Sequence, residues 1–551
     1  MFVSNPSKKA RSGRLAVLLL AGVLFVACLV GCAQQEPFVF EERNGEAVLV
    51  NYRGKGIQSV TVPADWNGLP VTAIGNFAFA HTASLKTVIL PDTVQSVGDY
   101  AFLNCAGLET MALPTACRSV GAYAFSGCSS LTEASMPGVT ELPEGLFRNC
   151  FALHRLAAGK AVTIGDYAFA GCASLETYDT GKEMEKLGSH VFDGCTALRR
   201  IDLGPAVKEI GAYCFFGSEA SVYFNENNRM DRLPAQCFAG CLGEEIRLPA
   251  DLFYIGSDCF SACTAKVIFS GDRLTELSDG AFRDYLGETL SLPSSLTRLG
   301  QEAFAGCVRL SSLTLPANVT YMGEKLFYDM TGEILFAPDA ALTALSEKAF
   351  SGYKGATLRL PNSLCRLDKN AFDGCRSDVD LTDCTNLTEI GTYAFQNYRG
   401  QKILLPDTLT KVETEAFSSC SQLKEIRLPD GVTELPDMLF ANCFELTKVT
   451  LGKHVERIGK YTFYACWELT EMTTPESLTE IGEKAFFECN KLVTVRLNRG
   501  LKTIGSEAFQ NCPALLTIFY AGTEQEWKDV MLVGGKSAIG YTTVLCADSA
   551  S

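Results

Sequence analysis

Apolar and polar positions along this chain follow one pattern that returns at a fixed interval. Over residues 71–520 each unit reads as a short β-prone segment ending in Ile-Gly, an Ala-Phe step, a Cys or substitute, and then Leu-x-x-Val-x-Leu-Pro. Residues 481–497 show the pattern as Ile481-Gly482, Ala485-Phe486, Cys489, Leu492, Val495 and Leu497. The Phe step runs from Phe79, Phe102 and Phe125 to Phe463, Phe486 and Phe509, twenty copies spaced by 22 or 23 residues. A single unit cannot bury its apolar face alone, so this period builds a solenoid in which each coil covers its neighbours.

Within a coil, the stretch around Ala-Phe reads as a brief helical turn. In thirteen of the twenty coils a Gly stands four residues before the Phe, as at Gly75, Gly98 and Gly505, which reads as a strand-to-turn junction needing φ > 0. In Leu-x-x-Val-x-Leu the Val and the final Leu share one strand face and the residue between them points out. The closing Pro ends strand pairing. Stacking at about 4.8 Å per coil makes a long curved rod of about 95 Å. Asn44-Gly45 between alternating segments predicts a β-hairpin that caps the first coil. Thr523 and Glu526 predict a capping box for a helix to about Val533, with Trp527, Val530 and Met531 covering the last coil.

The coil resembles the BspA-like leucine-rich repeat of bacterial surface proteins, Ile-Gly-x-x-Ala-Phe-x-x-Cys-x-x-Leu. The closing Tyr520-Ala521-Gly522-Thr523-Glu524-Gln525-Glu526-Trp527 resembles that family's terminal segment. The resemblance covers nearly the whole chain after residue 37. It implies a leucine-rich-repeat solenoid of about twenty coils, capped at both ends, that adheres to host extracellular or mucosal proteins or to other microbes.

The amino terminus changes the picture of location. Lys8, Lys9, Arg11 and Arg14 precede an uncharged run over residues 15–30, too short for the about 20 residues of a membrane span, and this reads as an export signal. Leu29-Val30-Gly31-Cys32 resembles the bacterial lipobox, which makes Cys32 the lipidated first mature residue. The expected division is a signal at 1–31, a tether at 32–37, a hairpin cap at 38–70, repeats at 71–520 and a carboxyl-terminal cap at 521–551. Losing residues 1–31 removes four basic and no acidic residues, taking the formal charge from −15 to −19. Such a surface repels phosphate backbones and anionic lipid headgroups, which disfavours nucleic-acid binding and peripheral membrane adsorption alike. Membrane attachment is expected through the lipid on Cys32, at the end of a tether shorter than about 20 Å.

Candidate chemistry is sparse. Fourteen of the 23 cysteines sit three residues after a repeat Phe, a spacing that reads as a packed thiol ladder and not as ligands converging on a metal. His81, His154, His190 and His454 fall in separated coils at unlike positions, and no nucleophile or phosphate-loop motif appears. The expectation is therefore no enzyme, no cofactor and no small-molecule substrate. The repeat Cys is replaced at Thr82, Ser218, Tyr285, Met330, Tyr353 and Tyr398, and the Tyr coils read either as loop variation or as a ligand site. The outward strand row is the candidate face for a protein partner. On it, Asp179, Asp202, Tyr223 and Arg247 occupy successive coils and combine charge with an aromatic. A competing reading is an envelope scaffold contacting the cell wall or another envelope protein, which the short tether favours.

Overall fold

The computed structural model describes residues 36–158 and 161–549. The expected export signal and Cys32 lie outside them. Among the described residues, no helix is long and apolar enough to cross a membrane. The chain winds as a solenoid whose coils feed two parallel strand ladders. One ladder is built from two-residue strands such as Thr163–Ile164, Lys186–Leu187 and Glu209–Ile210, paired so that Ile164, Leu187 and Ile210 line up inward. The other holds the Leu-x-x-Val-x-Leu strands, such as Arg200–Leu203 and Ser221–Phe224, with Ile201 and Val222 buried in register. At the first coil, Phe38–Arg43 and Glu46–Tyr52 pair antiparallel across Asn44 and Gly45, both at positive φ, as a two-residue hairpin turn requires.

The Ala-Phe stretch is not the expected helical turn. In all twenty coils the residues two before and two after the Phe are left-handed, for example Tyr100 (φ 56°) and Asn104 (φ 56°) around Phe102. An alternating backbone of this kind cannot propagate a helix, and it turns three peptide groups per coil along the solenoid axis. Phe77 N donates to Asp99 O (3.0 Å), Phe79 N to Ala101 O (2.8 Å) and His81 N to Leu103 O (2.7 Å). The same three bonds recur as far as Lys484 N to Ser506 O, Phe486 N to Ala508 O and Glu488 N to Gln510 O. Intervening N–H groups close tight turns inside the coil, as from Ala80 N to Phe77 O (3.0 Å). Left-handed non-glycine residues cost about 1–2 kcal/mol each, and the axial bonds offset that cost by pairing peptide groups that the turn buries.

The glycines four residues before the Phe need correcting as well. Gly75, Gly98 and Gly505 are not among the residues with positive φ. They are demanded by space: a Cβ on Gly505 would stand 2.4 Å from Glu483 N and 2.5 Å from Gly482 C of the preceding coil. Successive backbones touch there, and only hydrogen fits between them.

Inside, the repeat Phe rings form one column, with successive centroids 4.7–6.0 Å apart. Beside it runs the thiol ladder. Eleven repeat cysteines donate Sγ–H to the carbonyl of the preceding coil's Phe at 3.0–3.3 Å, among them Cys195 to Phe169 and Cys512 to Phe486. All 21 described cysteines are free thiols, and all but Cys365 are buried. The Tyr coils belong to the same core. Tyr285, Tyr353 and Tyr398 are buried, each replacing Cys and the missing Leu at once, and their hydroxyls donate to Ala265 O, Gly332 O and Ser377 O at 2.7–2.8 Å. The Gly two residues on makes room, since a Cβ on Gly287, Gly355 or Gly400 would lie 2.0–2.2 Å from that hydroxyl.

This core predicts an alkaline transition. Burial pushes the Cys105 thiol up to about 11 and those of Cys259, Cys307 and Cys375 up to about 12, and raises the Tyr285, Tyr353 and Tyr398 hydroxyls well above their ordinary value. Raised folded values mean that this stability is fully present below the unfolded thiol value of 9.0 and is lost as pH rises through the folded values. Circular dichroism should hold to about pH 9 and then collapse cooperatively, with the buried phenolates appearing only as the fold is lost. Phenolate absorbance from these tyrosines over an intact fold would show them to be accessible.

The carboxyl-terminal helix spans Glu524–Asp529 with the expected capping box. It stops short of Val533 because Val530 is extended and the chain joins the short-strand ladder, Met531 N bonding Lys502 O and Val533 N bonding Ile504 O. Val530 is buried and Trp527 packs on the core, whereas Met531 is exposed and covers nothing.

Candidate recognition groove

Strand alternation sets the candidate face. Asp202 pairs in register with Tyr223, and Tyr223 with Arg247, so three outward side chains stand in one line across three strands. Asp179 lies one coil earlier, two residues beyond the bridge between Thr177 and Arg200. All four line one open groove of about 880 Å3, together with Lys182, Arg200 and Glu226.

Arg200 organises this groove, and the row of single outward residues misses it. It stands two residues before Asp202 and therefore on the same strand face, a parity that the sequence carries. Its Nε and Nη2 donate to the two carboxylate oxygens of Asp202 at 2.8 and 2.7 Å. The same guanidinium lies 4.2 Å from the Tyr223 ring centroid, and Arg247 approaches that ring at 5.9 Å while donating to Glu245 at 3.0 Å. Tyr223 is thus held between two cations. Asp179 accepts from Gly181 N at 2.8 Å, which fixes its carboxylate at the groove's edge. The arrangement presents preorganised donors and acceptors around a rigid aromatic, as a contact hot spot does.

The outward row of the short-strand ladder contrasts with this. It runs Lys186, Glu209, Arg232, Tyr254, Glu276, Arg298 and Tyr321. Neighbours satisfy one another: Lys186 meets Glu209 at 2.9 Å, Arg298 meets Glu276 at 4.0 Å, and Arg232 and Arg298 lie over Tyr254 and Tyr321. Such pairs stabilise the ladder itself.

The histidines stay apart. His190 stacks between Tyr167 and Tyr213 and bonds Asp193 at 2.8 Å, while His154 and His454 bond backbone carbonyls in their own regions. Among the described residues, no three His, Cys, Asp or Glu side chains converge as metal ligands.

A family model described as "BspA type Leucine rich repeat region" matches in six overlapping copies, at residues 52–163, 139–243, 162–286, 231–355, 343–469 and 388–516. Among solved structures, a leucine-rich repeat protein from Bacteroides ovatus is 20% identical, with 93% of this chain and 98% of that chain covered at a TM-score of 0.37. A leucine rich cell surface protein from Faecalibacterium prausnitzii is also 20% identical, covering 90% and 96% at a TM-score of 0.23. The pneumococcal vaccine antigen PcpA is 17% identical, covering 93% and 98% at 0.32. No curated protein matches.

Proposed function

The chain belongs to the BspA-type leucine-rich-repeat family, and from that premise we propose that it is a lipid-anchored cell-surface protein that binds a protein partner through the groove around Tyr223. The observation that carries this reading is the register line Asp202, Tyr223, Arg247, organised by Arg200 along one open groove. Export and acylation of Cys32 place the rod outside the cell, and adhesion to host or microbial surface proteins is the role that fits a long, rigid, non-catalytic face.

Two measurements test it. Protease added to intact cells should cut the repeats; protection of the repeats while another surface protein is cut would sink the surface reading. Tyr223→Ala combined with Arg247→Ala should weaken adhesion to immobilised mucosal or microbial surface protein at least about tenfold, equivalent to about 1.4 kcal/mol, while Arg232→Ala on the self-paired row leaves it unchanged. Equal adhesion by all three proteins would assign recognition to another face.

A further inference from the structure

The strand Thr543–Cys546 closes the Leu-x-x-Val-x-Leu ladder at its carboxyl-terminal end and pairs on one side only, with Thr517–Tyr520. Thr543 N donates to Leu516 O and Ala547 N to Gly522 O, both at 2.9 Å, so the alternate residues Val544 and Cys546 turn their N–H groups to the open edge. Among the described residues, nothing accepts from those two N–H groups or donates to the carbonyls of Thr542 and Val544. The Cys546 carbonyl is taken by Ser549 N at 3.0 Å. Soluble proteins ordinarily guard such an edge with charge. The amino-terminal edge strand Phe38–Arg43 follows that rule, with exposed Glu41, Glu42 and Arg43. The carboxyl-terminal edge breaks it. Residues 537–547 carry no charge in a chain of formal charge −15, and the strand is as long as any in its sheet. Leu545 is 41% exposed in register with Phe519, and Tyr541 is fully exposed.

We propose that this edge pairs with the same edge of a second copy of the chain, antiparallel about a two-fold axis through Val544. In that register Val544 N meets Val544 O of the second copy and Cys546 N meets its Thr542 O, and the axis repeats both bonds. Every open donor of the strand is then used. The outward Leu545 falls opposite Thr543 of the second copy and diagonal to its Leu545 and Tyr541, within side-chain reach. Charge selects this occupant and this direction. Two copies of an acidic rod approach best where neither carries charge, and opposite signs bracket the uncharged run. Antiparallel pairing brings its acidic end, where Asp548 accepts from Glu524 N at 3.0 Å, to the end of the other run that follows Lys536. Head-to-tail stacking would instead press the edge on exposed Glu36, Glu41, Glu42, Arg53 and Lys55, stripping water from charges that gain no partner. The inference requires neither the groove around Tyr223 nor the lipid on Cys32.

Sedimentation equilibrium of the chain from residue 33 onward, which holds every described residue, tests this over a concentration series. A monomer–dimer equilibrium is expected. Leu545→Lys sets two cations diagonally across the axis and should weaken dimerisation at least about tenfold. Leu545→Lys combined with Thr543→Glu sets opposite charges directly across the axis and should restore it, while Thr314→Lys on a distant strand leaves it unchanged. Thr543 and Leu545 are both exposed, so each variant should melt like the parent. Amide exchange of the unaltered chain gives a reading free of any variant: the Val544 and Cys546 N–H groups should slow as concentration rises, and those of Phe38–Arg43 should not. A monomer throughout the series, with exchange independent of concentration, overturns the proposal. A dimer that Leu545→Lys leaves as tight as the parent also overturns it and assigns pairing to another surface. Failure of the combined variant to recover overturns the register through Val544.

Discussion

Phe304→Ala should destabilise the solenoid by about 3–5 kcal/mol and split its unfolding into two transitions. Phe304 is fully buried, with the Phe282 and Phe327 rings 5.8 and 6.0 Å away on either side. Removing it opens a cavity in mid-column that neither neighbour can fill, since each is fixed by the axial hydrogen bonds of its own turn. Each coil contacts only the next, so a weak interface uncouples the coils on its two sides. Denaturant unfolding followed by circular dichroism, with amide exchange resolved by coil, should show protection lost first around residues 282–327. Thr314→Ala on the outward face should change stability by less than about 0.5 kcal/mol. An unaltered melt for Phe304→Ala would mean that the column does not hold the coils together.

The second large effect separates two explanations for glycine. Gly323→Asn should cost about 3 kcal/mol, whereas Gly374→Asn should be nearly neutral. At Gly323 a Cβ would lie 2.4 Å from Gln301 N and from Gly300 C, atoms of the preceding backbone that cannot turn aside. The coils would have to part, stretching the ladder bond from Gly323 N to Leu299 O at 2.8 Å. At Gly374 the backbone is left-handed (φ 66°) and open, a conformation that Asn adopts readily. Thermal melts of the two variants decide the matter. Comparable melting temperatures would return the Gly323 class to the conformational reading that its sequence position first suggests.

That reading shows where sequence reasoning stops. The coil period, the inward Phe and Cys, and the outward line through Asp202, Tyr223 and Arg247 all follow from spacing, because a strand alternates with period two and a solenoid repeats in register. Gly323 looks the same in sequence whether it is needed for φ or for space, and only the neighbouring backbone distinguishes the two. The alternating turn was hidden for another reason. It has neither helical nor strand period, yet its second left-handed position was written in residue type: Asn104, Gly127, Asn149, Gly171 and Gly194 stand two after the Phe, and Asn and Gly are the residues that tolerate αL. In sequence the tyrosine coils, where segments such as Tyr398-Arg399-Gly400 replace Cys-x-x-Leu, read either as loop variation or as a ligand site. In three dimensions the glycine is simply the room that the hydroxyl needs. In the groove, Arg200 was within reach of the parity argument, but its hold on Asp202 and Tyr223 depends on rotamers that spacing does not express.

The three peptide groups that each turn lines up along the axis have an electrical consequence. Their N–H groups point towards the carboxyl-terminal end, whereas bonds of the strand ladders point the other way, as from Gln95 N to Thr72 O, Gly98 N to Ile74 O and Glu109 N to Lys86 O. The two sets oppose one another in nearly every coil, so their dipoles largely cancel, and coils can be added without building up the end charges that an α-helix accumulates.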